Sequence, residues 1–186
     1  MAILTLQIGQ CGNQIGQAFF QHVHKNTPPS NNNNTTTMEC NNSRWFRSNN
    51  IARAILIDME PKVIQNLQGQ KYAWHYSNEN AIWKQSGSGN NWAFGYNVHG
   101  PACEEIIEMV KKEMEYCDVM EGFIMYHSLA GGTGSGMGSY LTELLANAFS
   151  AIPILNVVVA PYKSGEVSVQ PYNGLLTLSC LAEVES

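Results

Sequence analysis

The sequence predicts an α/β domain built on a doubly wound, mainly parallel sheet with helices on both faces. Segments with strand, loop and helix character follow one another in that order along the chain, and this alternation is typical of parallel α/β sheets. Several predicted loops are rich in glycine and lie where a strand passes into a helix, which is where such sheets bind ligands. The chain has 186 residues, enough for one domain with a substantial core.

Two strands are predicted in the first half of the chain. Residues 3–8 form the first strand, and after a glycine-containing turn the apolar residues of 15–23 recur at helical spacing. Residues 51–57 form the second strand, which runs into Asp58 and Glu60 before Pro61. Proline suits the first turn of a helix, so we expect a short helix there. Residues 74–83 show no clear period, and their structure stays open.

The second half repeats the same order. Residues 103–117 carry a helical apolar stripe, and residues 123–126 form a short strand that leads into a glycine-rich loop. The apolar residues of 137–148 form the buried face of the next helix. Residues 154–159 are apolar almost throughout, which predicts a buried parallel strand.

Residues 24–50 interrupt this pattern. Sixteen of these 27 residues are Asn, Thr or Ser. Such a tract buries too little apolar surface to offset the entropy lost on ordering, which predicts a disordered surface loop inserted into the domain. An Asn-rich assembly segment is the alternative.

Composition excludes several classes of function. The formal net charge is −5 and the sequence contains no block of basic residues, so we expect no nucleic-acid partner. No apolar run approaches the ~18 residues that a membrane span needs, and we expect no membrane partner. The start of the chain lacks the features of a secretory signal. Five cysteines without Cys-x-x-Cys spacing predict reduced thiols rather than disulfides or a zinc site.

The strongest functional signal is the stretch Ser-Leu-Ala-Gly-Gly-Thr-Gly-Ser-Gly at residues 128–136. It follows a strand and opens a helix, the context in which a glycine-rich motif binds phosphate. Glycine lets the backbone approach an anion closely, and the N–H groups at a helix start point toward it. Thr133 and Ser135 add hydroxyl donors. A tight turn with close helix–sheet packing is the alternative, but two glycines usually suffice for that.

Other loops offer weaker signals of the same kind. A second anion-capable turn, at residues 9–12, follows the first strand, although neither a Walker Gly-Lys-Ser/Thr nor a Gly-x-Gly-x-x-Gly pattern is present. Asp58 and Glu60 follow the second strand, and one or two carboxylates are what a magnesium–phosphate site needs. The alternative for Asp58 is an exposed cap of the following helix. Cys11 is either a ligand contact or a small buried residue.

A further polar loop follows the last predicted strand. Lys163 and Glu166 lie there, and a carboxylate in that place can accept hydrogen bonds from ribose hydroxyls. Solvated loop charges are the alternative. The five histidines are scattered, and none is predicted as a metal ligand or a catalytic base.

Taken together, these loops resemble the nucleotide loops of the tubulin family, in the family's own order. The similar segments are Gly-Gln-Cys-Gly-Asn-Gln at 9–14, Asp-Met-Glu-Pro at 58–61, Gly-Ser-Gly-Asn-Asn-Trp-Ala at 87–93, Ala-Gly-Gly-Thr-Gly-Ser-Gly at 130–136 and Pro-Tyr-Asn at 171–173. The resemblance covers nearly the whole chain outside residues 24–50. Residues 52–63, residues 95–101, Ala130 and Gln170 are most similar to the delta class within that family.

The resemblance implies a GTP-binding domain, with GTP or GDP and Mg²⁺ as its cofactors. It implies phosphate and base contacts from Gly9, Gln10 and Cys11, and metal and γ-phosphate contacts from Asp58 and Glu60. The implied γ-phosphate residues of the third loop are Ser88, Gly89 and Asn90. Those that would hold the α- and β-phosphates are Ser128, Gly131, Gly132, Thr133, Gly134, Ser135 and Gly136, and Glu166 would meet the ribose. Gln170, where the beta class of the family has a carboxylate, would remove a charge near the ribose.

The resemblance also implies a cytoskeletal role. The expected partners are other tubulins in microtubules or centriolar assemblies. The expected location is the cytoplasm and cytoskeleton, at the centriole or basal body and in the cilium. By comparison with the family, residues 1–186 are expected to be a truncated GTP-binding domain without the guanine-contacting segments and the loop that supplies the hydrolytic acid. We therefore expect weak GTP binding and no hydrolysis by this chain alone.

Two other classes of function stay open on the sequence. A nucleotide-using enzyme on a similar sheet, such as a dehydrogenase, would need a dinucleotide fingerprint and a catalytic base that the sequence does not show. A truncated paralogue that acts only as an interaction module is the second.

Overall fold

The structure, a computed structural model, describes residues 1–26, 43–99, 103–162 and 168–184. Its strands are β1 Ala2–Ile8, β2 Phe46–Arg47, β3 Ile51–Ala52, β4 Ala54–Asp58, β5 Ala81–Trp83, β6 Met120–Ser128 and β7 Ile154–Val159. Its helices are α1 Gly9–Asn26, α2 Pro61–Gln68, the single turn α3 Trp92–Phe94, α4 Cys103–Met114, α5 Gly138–Ala148 and α6 Gln170–Val184. A π-helical turn, Gly95–His99, follows α3, and another, Thr133–Met137, precedes α5.

Five strands form one parallel sheet in the order β5-β4-β1-β6-β7. From the central strand β1, the chain builds outward to β4 and β5 on one side and then to β6 and β7 on the other. This reversal of direction is the topological switch point of a doubly wound sheet, where a crevice opens at the carboxyl ends of the strands. The predicted fold class is confirmed.

The sheet is covered on both faces. Alternate residues of β1, namely Leu4, Leu6 and Ile8, are fully buried in one apolar cluster with residues of α4 and α5. The other face carries a second cluster, to which α1 and α2 contribute Phe20 and Ile64. Strand side chains alternate between faces, so β4 supplies Ile55 and Ile57 to the first cluster and Ala54 and Leu56 to the second.

Helix α1 lies unusually close to the sheet. A Cβ atom at Gly12 would overlap the backbone carbonyl of Tyr126, and one at Gly16 would overlap the side chain of Gln7. Glycine at these two positions lets the start of α1 sit directly on β1 and β6. The turn that precedes it is thereby fixed against the centre of the sheet.

The loop predicted at residues 24–50 has regular structure at both of its described ends. Residues 24–26 continue α1, and residues 43–50 include β2 and pack on the second apolar cluster; residues 27–42 lie outside the described residues. Phe46 is only 2% exposed, because its ring packs edge-on against Phe20 at a centroid distance of 5.4 Å. One buried aromatic side chain orders a stretch whose average composition is polar.

The structure corrects the prediction for β7. Its apolar sequence predicts burial on both faces, yet Leu155 is 58% exposed and Val159 is 38% exposed. Within the described residues β7 pairs with β6 alone, so it lies at an edge of the sheet. The residues 74–83 that were left open contain β5 and two buried aromatic side chains, Trp74 and Tyr76.

Two further features of the described chain bear on function. None of its helices combines the length and the apolar character that crossing a bilayer requires. Cys11, Cys103, Cys117 and Cys180 are free thiols there, while Cys40 falls outside the described residues.

Candidate nucleotide-binding site

A cavity of about 440 Å³ opens at the carboxyl ends of the central strands. Its walls come from the turn after β1, the segment after β4, the loop before α3 and the loop after β6. The lining residues are Gly9, Gln10, Cys11, Gln14, Asp58, Glu60, Val63, Ser88, Gly89, Asn90, Ser128, Gly131, Gly132, Thr133 and Gly134. The cavity therefore lies at the switch point between β1 and β6, where this fold class binds its ligands.

Thirteen of these lining residues are among those proposed from the sequence, and Gln14 and Val63 are not. Gln14 lies one helical turn after Gln10, so the helical period of α1 could have identified it. Of the remaining proposed residues, Ser135 and Gly136 are buried behind the cavity wall rather than in it. Glu166 lies outside the described residues, as does Lys163.

The first loop is held in an unusual backbone conformation. Gly9 has a φ of 71°, and a Cβ atom there would lie 3.2 Å from the backbone nitrogen of Gly134. The Asn13 amide group donates hydrogen bonds to the carbonyls of Gly9 at 2.9 Å and Ile57 at 3.0 Å. Asn13 is fully buried, and it ties the turn after β1 to the end of β4, next to Asp58.

The glycine-rich loop is packed between its two neighbours. On the side of the first loop, a Cβ atom at Gly9 would lie 3.7 Å from the Cβ atom of Thr133. On the other side, a Cβ atom at Gly132 would meet Ser88 of the third loop, and one at Gly136 would meet Trp92 at the start of α3. The glycines thus bring three loops within contact of each other. Thr133 begins the π-helical turn that leads into α5, and backbone N–H groups at a helix start favour an anion.

The third loop, residues 87–91, closes the cavity. Gly87, Gly89 and Asn90 have φ values of 51°, 55° and 52°, in the left-handed region that Gly and Asn adopt most easily. The hydroxyl oxygens of Ser88 and Thr133 lie 2.8 Å apart and share a hydrogen bond. The loop ends where the Asn91 side chain accepts a hydrogen bond from the Phe94 N–H and caps α3.

Asp58 provides a buried carboxylate at the end of β4. It is 4% exposed; its Oδ1 accepts the Met59 N–H at 2.8 Å, whereas Oδ2 has no hydrogen-bond partner within the described part of the chain. Burial raises the pKa of Asp58 to about 6, against the opposing effect of the Met59 and Glu60 amides. Asp58 is therefore not an exposed helix cap. The residue before α2 is Glu60, whose exposed side chain forms no capping hydrogen bond.

These two carboxylates fit a divalent cation that shares its ligands with phosphate. Asp58 lines the polar cavity and keeps one carboxylate oxygen without a partner among the described residues, and such a carboxylate is a suitable ligand for Mg²⁺. The described residues contain no group of three or more His, Cys, Asp or Glu that could enclose a metal. Mg²⁺ is commonly held by one or two carboxylates, with phosphate and water completing its shell, so this donor set suits it.

The chain matches the Tubulin/FtsZ family, GTPase domain, over residues 2–185. It belongs to this family. Tubulin delta chains are similar to it: that of Mus musculus is 43% identical over 97% of this chain and 43% of the relative. That of Homo sapiens is 42% identical over the same shares. The predicted family and the likeness to its delta class are confirmed, and the chain spans 43% of the length of these relatives.

The cavity of this tubulin-family domain contains no lysine or arginine among its described lining residues. Phosphate charge would therefore be met by backbone N–H groups, by the hydroxyls of Ser88, Ser128 and Thr133, and by a bound cation. Asp58 and Glu60 would repel an unaccompanied anion at neutral pH. The site is consequently suited to a cation–phosphate complex rather than to a bare phosphate.

Proposed function

We propose that the chain binds GTP and GDP, together with Mg²⁺, in the cavity at the switch point of its sheet. The observation that carries this proposal is the convergence of four separate segments on that one cavity. Each of these segments resembles a nucleotide loop of the tubulin family, and membership of a GTPase-domain family supports the same ligand class.

The proposed contacts follow the arrangement of the loops. The first loop, Gly9 to Cys11, meets the phosphates and the base, and the third loop, Ser88 to Asn90, meets the γ-phosphate. Ser128 and the loop of Gly131 to Gly134 hold the α- and β-phosphates with backbone N–H groups and hydroxyls. Ser135 and Gly136 support that loop from behind, and Glu166 is proposed for the ribose.

Asp58 and Glu60 are the proposed residues at the Mg²⁺ site. The ion, when bound, neutralises phosphate charge and orients the terminal phosphate. The protein's part is to hold two carboxylates at the rim of a cavity whose other walls are neutral. The Met59 N–H donates to Oδ1 of Asp58 and holds the carboxylate in place, which leaves Oδ2 without a partner among the described residues.

Calorimetric titration of the 186-residue chain with GTP, GDP, ATP and NAD tests the ligand. We expect saturable binding of GTP and GDP that requires Mg²⁺, and weaker binding of ATP and NAD. Thr133→Val removes a hydroxyl from the cavity and should weaken GTP binding about tenfold, since one hydrogen bond to a charged group contributes about 1.5–3 kcal/mol. Thr177→Val removes a buried hydroxyl elsewhere, in α6, and should leave GTP affinity unchanged. Tight NAD binding without GTP binding would overturn the proposal.

We also propose a cytoskeletal role, in which the protein assembles with other tubulins at centriolar or basal-body microtubules. Its support is the likeness to tubulin delta chains. A fluorescently tagged chain expressed in ciliated cells should gather at basal bodies together with a centriole marker. A uniform signal that ignores the marker contradicts this role without affecting the nucleotide proposal.

A further inference from the structure

Asn173 is a buried polar residue outside the cavity that contacts two of its loops. It lies in the first turns of α6 and is 3% exposed. Its amide nitrogen donates to the Asn90 carbonyl and to the Ala130 carbonyl, both at 2.7 Å. Its amide oxygen accepts the Trp92 N–H at 3.0 Å. The amide nitrogen and the amide oxygen of Asn173 thus both form hydrogen bonds, and all three of these bonds are to backbone groups.

The three partners lie in or next to the two loops that close the cavity. Asn90 belongs to the third loop, and Trp92 directly follows that loop. Ala130 directly precedes the glycines that line the cavity. Elsewhere these loops meet through glycine contacts and the Ser88–Thr133 hydroxyl pair. Asn173 adds the link that fixes the backbone of both loops to one side chain of a third element.

We propose that Asn173 is a positioning residue that sets the spacing of the third loop and the glycine-rich loop for the terminal phosphate. This inference rests on the proposed function. Asn90 is a cavity residue whose backbone is in the left-handed region, and the hydrogen bond to its carbonyl holds that conformation. A shift of either loop would separate Ser88 from Thr133, and with them the hydroxyls that face the ligand.

Asparagine is suited to this place by its chemistry. The two carbonyl acceptors need a group with two N–H donors on one atom, and the Trp92 N–H needs an acceptor next to it. Aspartate has the same shape but offers no donor, so its second oxygen would face two carbonyl oxygens. Asn173→Asp therefore breaks the link to both loops while it keeps the volume and the bond from Trp92.

The test compares Asn173→Asp with Thr177→Val, a change one helical turn further along α6. Thr177 is fully buried and its hydroxyl donates to the backbone carbonyl of Asn173 within the helix, so this control perturbs α6 around Asn173 and leaves the side-chain bonds of Asn173 to the loops in place. We expect Asn173→Asp to weaken GTP binding at least about tenfold, the effect of losing a buried hydrogen-bond pair. GDP affinity should fall less, because the third loop is placed at the γ-phosphate. Thr177→Val should leave the ratio of GTP to GDP affinity at the wild-type value.

The positioning role is overturned if Asn173→Asp lowers GTP and GDP affinity by the same factor and so leaves their ratio unchanged, as Thr177→Val is expected to do. It is also overturned if Asn173→Asp binds GTP with wild-type affinity. Hydrogen exchange on the wild-type chain covers the case in which Asn173→Asp does not fold. The Trp92 N–H should be protected from exchange, since its partner is the buried Asn173 side chain. Exchange of that amide at the rate of an open loop overturns the inference as well. A wild-type chain that binds no nucleotide but shows a protected Trp92 N–H would instead contradict the proposed function alone.

Discussion

At the scale of single residues, Asp58 lies in an environment that is unfavourable to its charge. Its carboxylate is almost fully buried, and one of its oxygens has no hydrogen-bond partner among the residues that the structure describes. A buried charge without a complete set of partners destabilises a fold. Retention of such a group in a cavity is typical of a residue whose partner is supplied by a ligand.

Asp58→Asn should therefore raise the stability of the chain and weaken its Mg²⁺-dependent binding of GTP. We expect the free energy of unfolding of the nucleotide-free chain, measured with urea in EDTA, to rise by about 1–2 kcal/mol, because a neutral amide costs less to bury. The same variant should lose most of the gain in GTP affinity that Mg²⁺ provides, as measured by calorimetry. Glu60→Gln is the matched control for stability, since Glu60 is exposed and its change should alter unfolding by less than about 0.5 kcal/mol. A destabilised Asp58→Asn chain in EDTA would show that the charge is compensated within the protein.

At the scale of elements, the contact of α1 with the sheet places the first loop. Gly12 leaves no space for a side chain between α1 and the backbone of β6. Gly174, in α6, has only ordinary contact with Leu129, whose Cβ would lie 3.9 Å from an added Cβ atom. Both glycines lie in helices, but Gly12 faces the backbone of β6 and Gly174 faces only a side chain at ordinary contact distance.

Gly12→Ala should lower the free energy of unfolding by about 2–4 kcal/mol, since overpacking against backbone cannot relax easily. Gly174→Ala should be neutral or raise it by up to about 1 kcal/mol, because alanine favours the helix. Urea denaturation of both variants measures the difference. Equal stability of the two variants would mean that α1 does not lie this close to β6.

Most of the strands, helices and loops could be predicted from the sequence, because they depend on the pattern of neighbouring residues. The strands β1, β4, β6 and β7 are short apolar runs, and each cavity loop follows a strand or opens a helix. The glycine-rich loop could be predicted for the same reason. The burial of Phe46 could not, since it depends on aromatic rings that the fold brings together from distant positions in the chain. The sequence does not indicate the role of Asn173, because its partners Asn90 and Ala130 are 83 and 43 residues away along the chain.

At the scale of the whole molecule, the sheet has an edge at β7 within the described residues. The order of the strands decides which of them is central, and an apolar run alone does not. This is why the sequence predicted a buried strand there. An edge strand offers unpaired backbone groups to another chain, and the exposed Leu155 adds apolar surface to them.

We expect the 186-residue chain to self-associate as its concentration rises, in sedimentation velocity experiments. Leu155→Lys should raise the concentration needed for association by about tenfold, since a charge at a sheet edge opposes pairing. Asn66→Lys places the same charge at an exposed position on α2, which packs beside β4 and β5 on the opposite side of the sheet, and should leave association as it is. Identical behaviour of the two variants would assign self-association to another surface.

The hydroxyl pair of Ser88 and Thr133 has a consequence for how the cavity distinguishes its ligands. Two hydroxyls carry two protons, and their mutual hydrogen bond uses one of them. A ligand that offers one oxygen can take the remaining proton and leave the bond between the loops intact. A ligand that offers an acceptor to each hydroxyl must draw both protons to itself, and the link between the two hydroxyls then runs through that ligand, while the glycine contacts and Asn173 still join the loops. The number of acceptor oxygens that reach this point thus decides whether the two hydroxyls bond to each other or to the ligand.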